Sequence, residues 1–269
     1  MSDGCRRRTS RSFDLYIRRE GRCFVSCVST LSSRRKISFM VEKILIYERD
    51  AFFALNGSDS AFLDRFMWIF TGKVVWLPLA VLILLVLVYK KNWRESLLIL
   101  LAIVLVVTLC DQFASHICKP LFTRFRPTHH PDFMDQVKTV FDYRGGLYGF
   151  ISSHAANAFG FATLMALVMK DRLFGWTIFL WATLTAYTRI YLGVHFISDV
   201  VAGAIAGVFF GYVVYRLYAF VRLKWLPASI EEDPVPYSKK RIHLIVYAIC
   251  ATVLFILLFN EPLVVWLRG

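Results

Sequence analysis

Residues 95–118 read ESLLILLAIVLVVTLCDQFASHIC. From Leu97 to Val107 every side chain is apolar, without the i, i+3, i+4 stripe of a helix that lays one face on a soluble core. A run near the ~20 residues needed to cross hydrocarbon reads as a membrane-spanning helix. Working outward, five more runs fall at about 70–89, 152–169, 173–188, 197–220 and 241–259. The whole chain agrees, with 57% of its 269 residues hydrophobic and a mean hydropathy of +0.54. That is too apolar for an ordinary soluble domain. The sequence therefore predicts an all-α fold, a polytopic membrane helical bundle with about six transmembrane helices.

Outside those runs the charges are unevenly spread. Residues 1–39 hold most of the excess behind the formal net charge of +13. They lack the apolar core of a secretory signal, and resemble an organellar transit peptide only in composition. We read them as a basic leader outside the fold, with translation from Met40 as a simple explanation. Residues 40–69 mix apolar side chains such as Ile44, Phe52 and Phe62 with Glu48, Arg49 and Asp64, which suits an interfacial amphipathic segment. The remaining 70–269 form the membrane domain. The breaks at Lys90–Arg94, Lys170–Arg172 and about 222–241 are basic and share one side by parity, which the positive-inside rule makes cytoplasmic. Trp68, Trp76 and Trp93 read as interfacial anchors. Gly203, Gly207 and Gly211 read as a close-packing stripe. The six cysteines, Cys5, Cys23, Cys27, Cys110, Cys118 and Cys250, contain no CxxC pair, so neither a disulfide framework nor a zinc ribbon is implied. No signature accompanies the basic residues that would make nucleic acid a partner.

A charge at membrane depth costs at least ~2.5–3.5 kcal/mol unless paired or solvated, so polar residues there are informative. They gather in three clusters. Lys119, Arg126 and Pro127 follow the second run, Ser152, Ser153 and His154 open the third, and Thr188, Arg189, His195 and Asp199 span the break between the fourth and fifth. Helix counting puts all three on the same membrane face, opposite the basic breaks. Three cations collected there make sense if they hold an anion, and the planar Arg fork suits phosphate. His195 and Asp199, four residues apart, let the carboxylate orient one ring nitrogen and leave the other free as a nucleophile. His154 is placed to act as general acid. Ser152, Ser153 and the free N–H groups of that helix start add donors.

The three clusters resemble the tripartite signature of the type 2 phosphatidic acid phosphatase superfamily, the lipid phosphate phosphatases, K-x6-R-P, P-S-G-H and S-R-x5-H-x3-D. Lys119 to Pro127 matches the first in full. Arg189, His195 and Asp199 match the third, with Thr188 for Ser. In the middle motif Ser152 and His154 are kept, while Ile151 stands for Pro and Ser153 for Gly. The resemblance implies a metal-independent, cofactor-free phosphatase with a phosphohistidine intermediate. In it His195 attacks, Asp199 orients, His154 protonates the leaving group, and Lys119, Arg126, Ser152, Ser153 and Arg189 hold the phosphoryl oxygens. Relatives of this size act on undecaprenyl diphosphate, phosphatidylglycerol phosphate, phosphatidate or lipid A. We rank undecaprenyl diphosphate first and lipid A second, at the outer face of the cytoplasmic membrane.

The same residues admit rival readings. A lipid phosphotransferase shares the intermediate, and an anion transporter would also gather cations. His154, His195 and Asp199 as zinc ligands would have to tolerate three neighbouring cations; loss of activity to a chelator would favour them. Asp111 reads as structural. His129 and His130 read as solvated loop residues, and Arg144-Gly145-Gly146 as a turn. Asn157 either fixes the His154 ring or bonds across helices.

Overall fold

The structure, a computed structural model, describes residues 42–226 and 237–268; the basic leader, with Cys5, Cys23 and Cys27, lies outside them. All of the runs found in sequence are helical. In chain order the helices are α1 (residues 42–55), α2 (Ala61–Thr71), α3 (Leu77–Val88), α4 (Trp93–Gln112), α5 (Lys119–Phe122), α6 (Ser153–Met169), α7 (Arg172–Tyr191), α8 (Ile197–Trp225) and α9 (Lys239–Arg268). A π-helical turn, Phe113–Cys118, joins α4 to α5 without a break, so that this helix runs over Trp93–Phe122 for 30 residues. Its wider turn changes the direction in which the following Lys119 points.

Three helices are long and apolar enough on their own to cross a membrane, Trp93–Phe122, Ile197–Trp225 and Lys239–Arg268. A fourth arises if α2 and Val74–Val88, bent by 65° at Gly72 and Lys73, count as one span. The other two runs are helices that fall short of that test. α6 has 17 residues because its first turn is given over to Ser153 and His154. α7 carries several threonines, and Thr177, Thr183 and Thr185 return their hydroxyls to carbonyls one turn back, at 2.8 Å each. That hides polarity a composition test counts against it.

α6 is the central helix, packed on α4, α7 and α8. Its close approach to α8 depends on the stripe read in sequence. A Cβ on Gly203, Gly207 or Gly211 would strike the backbone carbonyl of Ser152, Ala156 or Gly160. Outward faces of the other helices are apolar and exposed, as at Val104, Ile205, Phe209, Leu258 and Trp176, a surface suited to lipid and not to water. At the end of the bundle far from the three clusters, Glu95 accepts from Arg222 Nε (2.9 Å) and the Tyr218 hydroxyl (2.8 Å). Cys110 and Cys118 are buried and Cys250 is exposed; all three are free thiols.

Three expectations are corrected. The last helix does not end near residue 259. It breaks at Phe259 (φ −117°, ψ 24°) and resumes to Arg268, because Pro262 lacks an N–H and its ring excludes the carbonyl four residues earlier. Trp76 is no surface anchor: its Nε1 donates to the Phe70 carbonyl at 2.7 Å, and its ring meets Trp181 edge to face at 5.7 Å. Trp93, 68% exposed, does sit outside. His130 is buried, with Nε2 2.7 Å from Glu42 Oε1 and its ring stacked on Phe133 at 4.0 Å; a carboxylate and an aromatic face replace the expected water.

Candidate active site

The 119–151 segment folds back on itself. Arg126 N–H donates to Leu147 O (3.0 Å) and Gly149 N–H to Arg124 O (2.9 Å), an antiparallel bridge that lays Arg124 and Arg126 along the start of α8. Gly149 is the close approach in this arrangement. A Cβ there would stand 2.9 Å from Asp199 Oδ2 and 3.6 Å from His195 Nδ1, so any side chain would displace the pair.

Asp199 is the third residue of α8 and completely buried. Its Oδ2 accepts from Phe196 N–H at 3.0 Å, capping the helix, and lies 3.4 Å from His195 Nδ1. Its Oδ1 accepts from Arg124 Nη1 at 2.8 Å. Arg124 Nη1 also donates to Ser198 Oγ (2.6 Å) and Nη2 to Glu48 Oε1 (2.6 Å), with the guanidinium 4.4 Å above the Phe196 ring. Glu48 in turn accepts from Ser198 N–H and Oγ, both at 2.7 Å. Arg124 is thus a fully buried cation with Glu48, Asp199 and a hydroxyl in contact and Glu42 Oε2 4.0 Å from its Nε, fixing Asp199 from behind. Glu48 reaches this place because Leu45, Glu48 and Phe52 form the buried face of α1, while Ile46 and Tyr47 point outward.

The motif cations are placed differently. Arg126 Nε donates to Tyr148 O (3.1 Å) and Nη1 to Val194 O (3.4 Å). Arg189, 1% exposed, donates to Thr71 Oγ1 (2.8 Å) and the Tyr143 hydroxyl (3.1 Å), and its Nε has no partner. Lys119 Nζ donates to Ser115 Oγ at 3.2 Å. Among the described residues none of the three forms an ion pair with a carboxylate. Lys119, Arg126 and Arg189 lie within electrostatic reach of one another and of His195. Burial first, then Arg126, Arg189 and Lys119, hold the His195 ring well below the usual histidine range, so it is neutral and can act as a nucleophile. Burial would raise the Tyr143 phenol, but Arg189, with Arg126 and Lys73, lowers it below the usual tyrosine range.

Two clefts open on this cluster, and His154 lines both together with Thr71, Gly72 and Lys73. The first, about 490 Å³, also touches Tyr143 and Arg189. The second, about 430 Å³, touches Asp111, Ser153 and Asn157. The sequence-derived set is therefore gathered in one place, save that Ser152 is wholly buried and turned to its own helix cap, accepting from Ala155 N–H at 3.4 Å. Asn157 neither orients a ring nor crosses to another helix through Oδ1, which has no partner. Arg144 stays exposed, its carbonyl accepting from Thr128 Oγ1.

Sequence reasoning missed Arg124, Glu48, Tyr143, Lys73 and Gly149. Arg124 gave one usable signal, a second permanent cation two residues before Arg126 in a segment that must return to the membrane.

Comparison with known proteins now bears on the site. A model of the PAP2 superfamily matches residues 96–223, which contain all three clusters. A lipid A 4'-phosphatase of Porphyromonas gingivalis is 43% identical over 194 residues, 72% of this chain and 82% of that protein. The chain belongs to the PAP2 superfamily. A second lipid A 4'-phosphatase, from Bacteroides thetaiotaomicron, is 36% identical over 226 residues, 82% of this chain and 98% of that protein. The PAP2 fold is also that of a crystallised phosphatidylglycerolphosphate phosphatase from Bacillus subtilis, at 19% identity and a TM-score of 0.52, covering 72% of this chain and 96% of that one. The PAP2 assignment makes this chain a membrane-embedded phosphatase.

Proposed function

We propose that this PAP2 phosphatase removes a phosphate monoester from a phosphorylated glycolipid of the lipid A type, through a phosphohistidine. The observation that carries the reading is the cation set: Lys119, Arg126 and Arg189 have only neutral partners and surround His195 beside clefts that reach His154. Three such charges at membrane depth are costly unless an anion completes them, and phosphate suits two guanidinium groups and a lysine.

In this mechanism neutral His195 attacks phosphorus through Nε2, while Nδ1 faces Asp199. The bond from phosphorus to the lipid oxygen breaks, and His154 gives its proton to that oxygen. Water then attacks the phosphohistidine, His154 takes the water proton, and inorganic phosphate leaves with His195 neutral again. Lys119, Arg126, Arg189, Ser153 and the free N–H groups at the start of α6 stabilise charge spread over the phosphoryl oxygens. Ser152 shapes that helix start from within.

The two relatives at 43% and 36% identity move lipid A ahead of undecaprenyl diphosphate. The basic breaks favour a site on the extracytoplasmic face of the cytoplasmic membrane. Phosphate release by purified protein, with chelator present, from lipid A, undecaprenyl diphosphate, phosphatidate and phosphatidylglycerol phosphate tests the reading beside His195→Ala. The expected result is release by the wild type alone, fastest from lipid A. Equal release by the variant overturns the nucleophile, and a different preferred lipid overturns the substrate.

A further inference from the structure

The second cleft does not end at the site. Its inner wall includes Trp76, Phe161 and Trp181, and the same three residues begin a separate cavity of about 400 Å³ lined by Leu79, Leu87, Leu100 and Ile103 among others, with almost no polar surface. From Leu79 to Leu87 that cavity follows α3 for about 12 Å by the rise of an α-helix. The neck between cleft and cavity is the edge-to-face contact of Trp76 with Trp181, 5.7 Å between ring centres. Trp76 is fixed there by its bond to the Phe70 carbonyl. Trp181 is not: its indole N–H is buried and has no acceptor. An unmet donor in an apolar surround is a standing cost unless something supplies an oxygen.

We propose that the cavity beyond Trp76 and Trp181 is the binding site for one acyl chain of the lipid substrate, with the carbonyl that attaches the chain accepting from the Trp181 indole. This rests on the phosphatase reading above and extends it. The polarity is graded in the order such a ligand requires. Cations and His154 meet the phosphate, Ser153, Asp111 and Asn157 line the cleft where the headgroup sits, a lone N–H stands at the linkage, and hydrocarbon follows. Asn157 Oδ1, also without a partner, accepts from a headgroup hydroxyl or amide N–H. Passage of the chain between cleft and cavity separates the two indole rings. The chain leaves one hydrocarbon surround for another, and the hydrophobic effect adds little. Selectivity comes from the hydrogen bond and the fit of the cavity.

The test compares lipid A with p-nitrophenyl phosphate, which has no chain, in the wild type, Trp181→Phe and Ala80→Trp. Trp181→Phe keeps the ring and deletes the donor. Ala80 is exposed at the rim of the cavity, and tryptophan there fills it from the lipid side. KM for lipid A is expected to rise about three- to ten-fold in Trp181→Phe, the range of one hydrogen bond, and at least as much in Ala80→Trp, with p-nitrophenyl phosphate turnover unchanged in Ala80→Trp. Unchanged KM for lipid A in both variants overturns the inference and leaves the phosphatase reading standing. Failure of the wild type to release phosphate from any lipid overturns both. Should a variant fold poorly, quenching of wild-type tryptophan fluorescence by a chain-brominated fatty acid decides instead: a part of the quenching relieved by lipid A supports the site, and quenching that lipid A leaves unchanged, as expected of exposed tryptophans such as Trp93 and Trp176 alone, overturns it.

Discussion

Arg124 and Arg126 stand two residues apart on one extended stretch, and the protein uses them in opposite ways. Arg124 is held at contact distance by two carboxylates, Glu48 and Asp199, and by Ser198, whereas Arg126 has only two backbone carbonyls and lies near two more cations that form no ion pair. The first is a closed electrostatic unit whose charge ends within the fold. The second belongs to a set that is complete only with an anion. Residue type alone carries no role at this depth; what decides is whether a carboxylate has been brought to meet it.

The largest effect should come from opening the closed unit. Arg124→Ala leaves Glu48 and Asp199 buried without their cation, and the loss of one partner from such a pair costs about 3–5 kcal/mol. Thermal unfolding in detergent should show it, with activity falling as Asp199 loosens. Arg126→Ala should do the reverse, lowering kcat by about 10²–10³-fold, the size of one lost transition-state donor, while the melting temperature holds or rises. Similar stability losses in both variants would break the comparison. Phosphate at about a hundred times its Kd should stabilise the wild type by about 2.7 kcal/mol and have a smaller effect on Arg126→Ala.

Acid is a finer probe. The folded protein keeps His195 neutral below the ordinary histidine pKa of about 6.5, where the unfolded chain takes up a proton. More protons are then bound unfolded than folded, so this group makes stability rise with pH through that region and fall on acidification. Activity measured as kcat/KM should show no His195 limb near pH 6.5, only one at lower pH; phosphorus NMR of the trapped intermediate would tie the limb to this ring. The smallest effect is expected from Tyr143→Phe, which removes one neutral partner of Arg189. We expect a three- to ten-fold rise in KM, about the worth of one hydrogen bond.

The three clusters of the candidate site were legible because the chain is so apolar. Against runs such as 97–107, each Lys, Arg, His and Asp near a helix end had to be accounted for, and three clusters in order sufficed. The closed unit was not legible, for a physical reason. Arg124 and Glu48 are 76 residues apart, and nothing in either segment says that α1 turns Glu48 inward while leaving Ile46 and Tyr47 outside. The π turn at Phe113–Cys118 has no signature in its residues, and the apolar run ending near 259 does not show that α9 bends there and continues. Trp76, taken for an anchor by type, is half-buried and turned inward because Phe70 and Trp181 reach it from other helices.

The two buried ion pairs on α8 lie near its opposite ends, Arg124 with Asp199 and Arg222 with Glu95, about 34 Å apart along the helix axis. A helix pinned at both ends cannot slide lengthwise against its neighbours without breaking one pair. The elevation of His195 is therefore a fixed dimension of the bundle. In a thicker or thinner bilayer the protein meets the mismatch by tilting or by deforming the lipid around it, and the change falls on how deep a lipid phosphate must travel to reach the site.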